Sequence, residues 1–231
     1  MKDNFNFSGF PKAGVQFLND LAKNNDKVWF NINKETYTTH LLQPAQAFVV
    51  AMGKKLEKIA PDIHADPRTD KSIFRIYRDT RFSADKSPFK THLGIFLWEG
   101  DLPKMESSGF YFHLEPPKLL LGCGNYMFSK PLLKTYREAV VDKKSGPALM
   151  AAIKAVSRKG NLGGKHYKQI PRGFDADHPN AEYLLYNGLH CMTETKIPDE
   201  LYSESLVDYC FKWYKEMAPL HRWLVEMTKR L

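Results

Sequence analysis

The stretch SIFRIYRDTRFSADKSPFKTH, residues 72–92, decides how the rest of the chain is read. Ahead of it, apolar residues recur at helical spacing. From it onward they come in short runs rich in β-branched and aromatic residues, the pattern of extended strands. The same stretch gathers Arg75, Arg78, Arg81, Lys86, Lys90 and His92 among Phe74, Tyr77, Phe82 and Phe89, with only Asp79 and Asp85 as counter-charges. It marks both the turning point of the fold and the place where a site is expected.

Towards the N-terminus, Val15, Phe17, Leu18 and Leu21 share one face of a helix expected over 11–24. Pro11 is accommodated in its first turn, where the missing N–H costs nothing. Asp26 can cap a second helix carrying Val28, Trp29 and Phe30, and Asn33 can cap the segment after it. Pro44 interrupts that segment, and a longer helix is expected over 45–59, stopped by Pro61. In the other direction, strands are expected at 71–80, 92–98, 109–115, 118–126 and 189–197, with turn signals at Gly100-Asp101, Ser107-Ser108-Gly109 and Pro116-Pro117. Such short links join antiparallel neighbours, because a parallel crossover needs about a dozen residues. Helices follow over 129–141 and 146–156 and from 203 onward, where Pro219 marks a break or a new start; 158–180 reads as a long surface loop. Repeats, low-complexity tracts and linkers are absent from the sequence. The expected fold is α+β, a mostly antiparallel central sheet with N-terminal and C-terminal helices packed on it, as a single globular domain over 1–231.

Composition narrows the classes. A 43% hydrophobic chain of 231 residues can bury a core, which excludes intrinsic disorder. Neither an apolar run near the roughly 20 residues of a membrane span nor a signal-peptide pattern occurs, so no membrane partner is expected and a cytoplasmic location is. Cys123, Cys191 and Cys210 are odd in number and widely spaced, which argues against a disulfide framework and against a cysteine zinc site. A net charge of +8 suits phosphates, nucleic acid or acidic partners.

Strand alternation gives the central run a direction. Within 109–115, Phe110, Phe112 and Leu114 make an apolar face and Tyr111, His113 and Glu115 a polar one. If 72–79 is a neighbouring strand, matching the apolar faces leaves Arg75, Tyr77, Tyr111 and His113 on one side. That is equipment for an anion: arginine offers a planar fork, tyrosine a directional hydroxyl, and histidine a proton near neutral pH. Arg78, Arg81, Lys86 and Lys90 add cations around it, and Arg172, in Pro171-Arg172-Gly173, is a further candidate. His92 and His113 are the candidate acid–base groups. The competing reading is that the arginines pair with Asp79 and Asp85 and merely fix the loop.

Cofactor signatures are missing. Gly160–Lys165 is one residue short of a phosphate loop, with His166 where Ser or Thr would hold magnesium. Gly122-Cys123-Gly124 lacks the third glycine of a dinucleotide fingerprint. Both read as turns. Without His-x3-His or His-Glu-x-x-His spacing, no metal is expected either, and no Gly-x-Ser-x-Gly elbow supports a hydrolase of that kind.

Several motifs nevertheless share a pattern. Phe10-Pro11, Phe17-Leu18, Asn24-Asn25-x-x-x-Trp29-Phe30 with Asn33-Lys34 and Tyr37, the run from Phe74 to Ser83, Lys86-x-Pro88-x-Lys90-Thr91-His92, Tyr111-x-His113-x-Glu115-Pro116, Gly122–Gly124 and Pro171-Arg172-Gly173 occur in this order. Together they resemble the family catalogued as domain of unknown function twenty-four sixty-one. The resemblance spans nearly the whole chain. It implies a single soluble domain of a kind found largely in bacteria, and it hands over no catalytic residues. Three readings follow, in order of preference. The first is a binding or catalytic pocket for an anionic, for instance phosphorylated, small molecule, with phosphoester hydrolysis or transfer as the reaction the residues suit. The second is a structural or protein-interaction domain, and the third is a nucleic-acid binder with Phe82 or Phe89 stacking on bases.

Overall fold

The computed structural model describes residues 6–231. Three short helices lead in: α1 (Lys12–Lys23), α2 (Lys27–Ile32) and α3 (Lys34–Tyr37). A wide π-turn, Thr38–Leu42, joins α3 directly to α4 (Gln43–Leu56). Asp26 caps α2 as its position suggests, accepting from the N–H groups of Val28 and Trp29 at 2.8 and 2.9 Å.

Pro44 does not interrupt the helix. It lies in the first turn of α4, and the preceding turn widens so that Gln43 N–H bonds Thr38 O. Proline has no N–H to offer the carbonyl four residues back, that of His40. The His40 carbonyl instead comes up against Gly14 of α1, where an added Cβ would lie 2.1 Å from its oxygen. Only glycine fits beneath it.

The strands are β1 (Ile63–His64), β2 (Leu93–Glu99), β3 (Gly109–Glu115) and β4 (Lys118–Asn125), followed by helices α5 (Lys130–Val141) and α6 (Ser145–Val156). Strands β5 (Asn161–Lys165) and β6 (Tyr186–Lys196) and the long helix α7 (Leu206–Thr228) complete the chain. The sheet has the order β1-β2-β3-β4-β6-β5 and is antiparallel, so the fold is α+β with helices packed on the sheet.

Three local expectations need correction. Residues 72–79 do not form a strand: they touch neighbours through isolated bridges, Ile73 with Ile95 and Tyr77 with Phe89. Pro88, opposite, has no N–H to extend the pairing, although its carbonyl accepts from Arg78 N–H at 2.9 Å. The supposed loop 158–180 contains β5, an edge strand paired with β6. Its register sets Gly163 opposite His190, whose ring occupies the space a Cβ would need, 2.3 Å from Nε2. Gly163 lets the two strands close over an imidazole, and Gly164 lets them close on the backbone of Gly188, where an added Cβ would lie 2.0 Å from its oxygen. Finally, Pro219 lies inside α7 and does not end it.

The chain divides into two compact units: residues 1–97, 111–120 and 194–212 form one, and 98–110, 121–193 and 213–231 the other. Each has its own aromatic core. In the first, Phe112 of β3 packs on Phe48 of α4 and Phe10, at 4.9 and 5.9 Å between ring centroids, while Phe30 of α2 stacks on Phe89 at 4.1 Å. In the second, Tyr136 of α5 meets Phe128 at 4.7 Å and Trp223 of α7 at 6.0 Å. The Trp223 indole donates to Ser145 O at 3.0 Å, which satisfies its polar edge inside the core.

Candidate functional site

Strand β3 delivers the centre of the site. Its inward positions Phe110, Phe112 and Leu114 are fully buried, so the pleat turns Tyr111, His113 and Glu115 to the other face. There they form a relay: the Tyr111 hydroxyl meets His113 Nδ1 at 2.9 Å, and His113 Nε2 meets Glu115 Oε2 at 3.2 Å. The Thr91 hydroxyl donates to the other Glu115 oxygen at 3.4 Å. His92 lies over this relay, its ring stacked on that of His113 with 4.2 Å between centroids. Burial, then the neighbouring His113, pushes the His92 imidazole down to about 4. It is therefore a neutral base at pH 7.

Asn25 and Phe30 fasten the stretch 72–92 to the helical region. The Asn25 amide donates to Phe89 O and accepts from Phe89 N–H, both at 3.0 Å, and Phe89 is sealed beneath Phe30. This gives Asn25, the second residue of the Asn24-Asn25 signal, a tertiary role. Phe74 reaches Tyr111 edge-on at 6.2 Å. Tyr77 instead packs with Phe89 and Phe30, at 5.1 and 6.0 Å. The expected common face of Arg75 and Tyr77 with Tyr111 and His113 is thus replaced: Phe74, of opposite parity, is the residue that meets Tyr111.

The cations divide into two groups. Arg81 pairs with Asp79 at 2.7 Å and Arg78 pairs with Asp85. Hydrogen bonds from Arg81 hold the Asp79 carboxyl down at about 2, and Arg78 likewise lowers that of Asp85. Lys86 donates to Thr80 O at 2.9 Å. These side chains close the loop on itself. Lys90 and Arg75 differ. The Lys90 ammonium donates to Arg75 O at 2.9 Å and lies 5.5 Å from the centre of the Phe74 ring. Burial and then the charge of Arg75 lower its pKa. Among the described residues, neither forms a salt bridge. Arg172 is exposed and belongs to the second unit, whereas all the other site residues belong to the first.

Sequence reasoning missed Glu115 as a site residue. The signal was available, since Glu115 shares the parity of Tyr111 and His113 on β3. A second cluster had no local signal at all. In the second unit, Ser108 Oγ meets His221 Nδ1 at 2.9 Å and His221 Nε2 meets Glu99 Oε2 at 2.7 Å. A proton on Nε2 satisfies Glu99 and leaves Nδ1 to accept from the serine. Ser108 and His221 are buried, so this serine is out of reach of a substrate. An open cleft of about 560 Å³ in the first unit is lined by Asn6, Ser8, Thr39, Gln43 and Gln46 among others, and by none of the residues above.

No helix among the described residues is long and apolar enough to cross a membrane. No curated protein and no solved structure matches the chain. Residues 13–223, which include all of the relay, the cationic stretch and the buried cluster, match the family model described as conserved hypothetical protein (DUF2461). The chain belongs to that family.

Proposed function

We propose that the first unit binds an anionic small molecule at the cations Arg75 and Lys90, the second of which is near enough to His92 for its charge to be felt there. One observation carries this reading. The charge of Arg75 is felt at Lys90, yet neither forms a salt bridge among the described residues, while the other cations of the loop are internally paired. Two like charges held together raise the local potential, and an anion between them would relieve it. His92, stacked on the His113 ring of the relay, is a neutral imidazole able to accept a proton from a bound group. Phosphate esters suit this set best, because several oxygens can be shared between arginine and lysine donors.

The test is thermal unfolding against inorganic phosphate, sugar phosphates, nucleotides and short oligonucleotides, repeated on Arg75→Ala and Lys90→Met. A ligand at a hundred times its Kd stabilises the native state by about 2.7 kcal/mol. In a chain of this length that raises the midpoint by roughly 5–10 °C. The expected result is a selective rise that both variants abolish. Response to oligonucleotides alone, weakening steeply with salt, would move the reading to nucleic acid.

A second reading has its own support. The pairs Arg78–Asp85 and Arg81–Asp79, with Lys86 on Thr80 O, are what a purely structural loop would carry. On that reading nothing in the panel shifts the midpoint, and the family's cationic stretch serves as scaffold or as a surface for another protein.

A further inference from the structure

We propose that His92, His113 and Glu115 form a site for a divalent transition-metal ion, with Zn²⁺ the best fit and one coordination position open. The sequence carries no metal motif, and the anion reading above does not require a metal. The grouping comes from the fold. Two of the donors are two residues apart on one face of β3, and the third precedes β2, the neighbouring strand. One donor atom from each lies within 4.8 Å of the others.

The finer geometry supports coordination. Donors each about 2.0–2.1 Å from a tetrahedral Zn²⁺ are about 3.3 Å apart. His113 Nε2 and Glu115 Oε2 are already 3.2 Å apart. The remaining atoms of both residues are held as second partners of metal ligands usually are. The Tyr111 hydroxyl occupies His113 Nδ1, which directs Nε2 to the metal, and the Thr91 hydroxyl holds the second carboxylate oxygen. His92 must still turn. Its ring is only 25° from parallel with that of His113, so the two lone-pair directions do not yet converge. Rotation about χ2 of histidine is soft, and no side-chain hydrogen bond among the described residues opposes it. Two histidines and one carboxylate are a donor set that zinc accepts with a fourth position left for water or substrate. The charge of Lys90 is felt at His92, so an anion sharing that position would have a cation nearby.

The experiment uses the untagged full chain, stripped with a chelator and titrated with Zn²⁺ in phosphate-free buffer by calorimetry, with Co²⁺ absorption as the reporter of geometry. One Zn²⁺ per chain is expected, with an intense four-coordinate Co²⁺ spectrum. His113→Ala and Glu115→Gln should each weaken Zn²⁺ binding by about a hundredfold or more, and Tyr111→Phe by about tenfold through lost orientation. Circular dichroism establishes that each variant is folded, and Glu115, being exposed, gives a variant that should not disturb the fold. Absence of stoichiometric binding, or binding that survives both ligand variants in folded protein, overturns the site. Arg75→Ala separates the two proposals: it should abolish protection by phosphate esters while Zn²⁺ binding persists.

Discussion

His113 and His221 have the same two kinds of partner, a hydroxyl and a carboxylate, at nearly the same distances. His113 lies between Tyr111 and Glu115 at 2.9 and 3.2 Å, and His221 between Ser108 and Glu99 at 2.9 and 2.7 Å. Their surroundings differ. The side chains of His221 and Glu99 are 0% and 9% exposed, whereas those of His113 and Glu115 are 14% and 50% exposed. In the interior a polar group that loses its partner cannot turn to water, so the His221 cluster is bound to its geometry. At the open cluster water or a ligand can replace any partner. The same chemistry therefore holds a core together in one unit and remains available for binding in the other.

The sharpest way to break the comparison is to remove each histidine. His221→Ala takes away a buried partner of Ser108 and Glu99 and leaves a void, and should cost about 3–5 kcal/mol, read as a lower urea midpoint. Ser108→Ala removes one buried hydrogen bond and should cost about 1–2 kcal/mol. The same denaturation experiment on His113→Ala should show a loss of only about 0.5–1 kcal/mol, because Tyr111 and Glu115 retain access to solvent. Equal losses at His113 and His221 would mean that the two clusters do not differ in kind.

Acid should expose the open cluster by another route. His92 has its folded pKa near 4, below the ordinary value of 6.5, so between these values the unfolded chain binds a proton that the folded chain refuses. The contribution is fully present above about pH 6.5 and is lost as pH falls towards 4. Denaturation midpoints of the metal-free chain at pH 7.5, 6 and 5 should decline, and those of His92→Gln should decline less. The smallest effect is expected at Arg81→Ala: the Arg81–Asp79 pair is exposed and screened, so the unfolding midpoint should not move measurably. A clear drop would show that the loop's ion pairs carry structural weight and would favour the scaffold reading.

Reading the sequence captured what depends on near neighbours. The Asp26 cap, the helix expected over 129–141 and the alternation of β3 are local matters of backbone donors, periodicity and pleat, and all three appear in the fold. The α+β class followed from the change of period near residue 71 and from links too short for parallel crossovers. Strand β5 was hidden because Gly163 and Gly164 mimic a turn, while the partners they make room for, the His190 ring opposite Gly163 and the Gly188 backbone against Gly164, lie 27 and 24 positions away. Residues 72–79 look like a strand by composition but obtain only scattered pairing, a property of what lies opposite them.

The candidate site divides in the same way. Its ingredients are legible along the chain: the cationic stretch, the polar face of β3 and the histidines at 92 and 113. Which of them meet is a result of packing. Packing spends Arg78, Arg81 and Lys86 on loop contacts, turns Tyr77 into an aromatic cluster and brings His92 onto the His113 ring, with a donor atom within 4.8 Å of one on Glu115. It also joins Ser108 to His221 across 113 positions. Local spacing reports the direction of a side chain along its own helix or strand. Its partners depend on how the strands register and where burial removes water, and those are settled by packing across the whole chain.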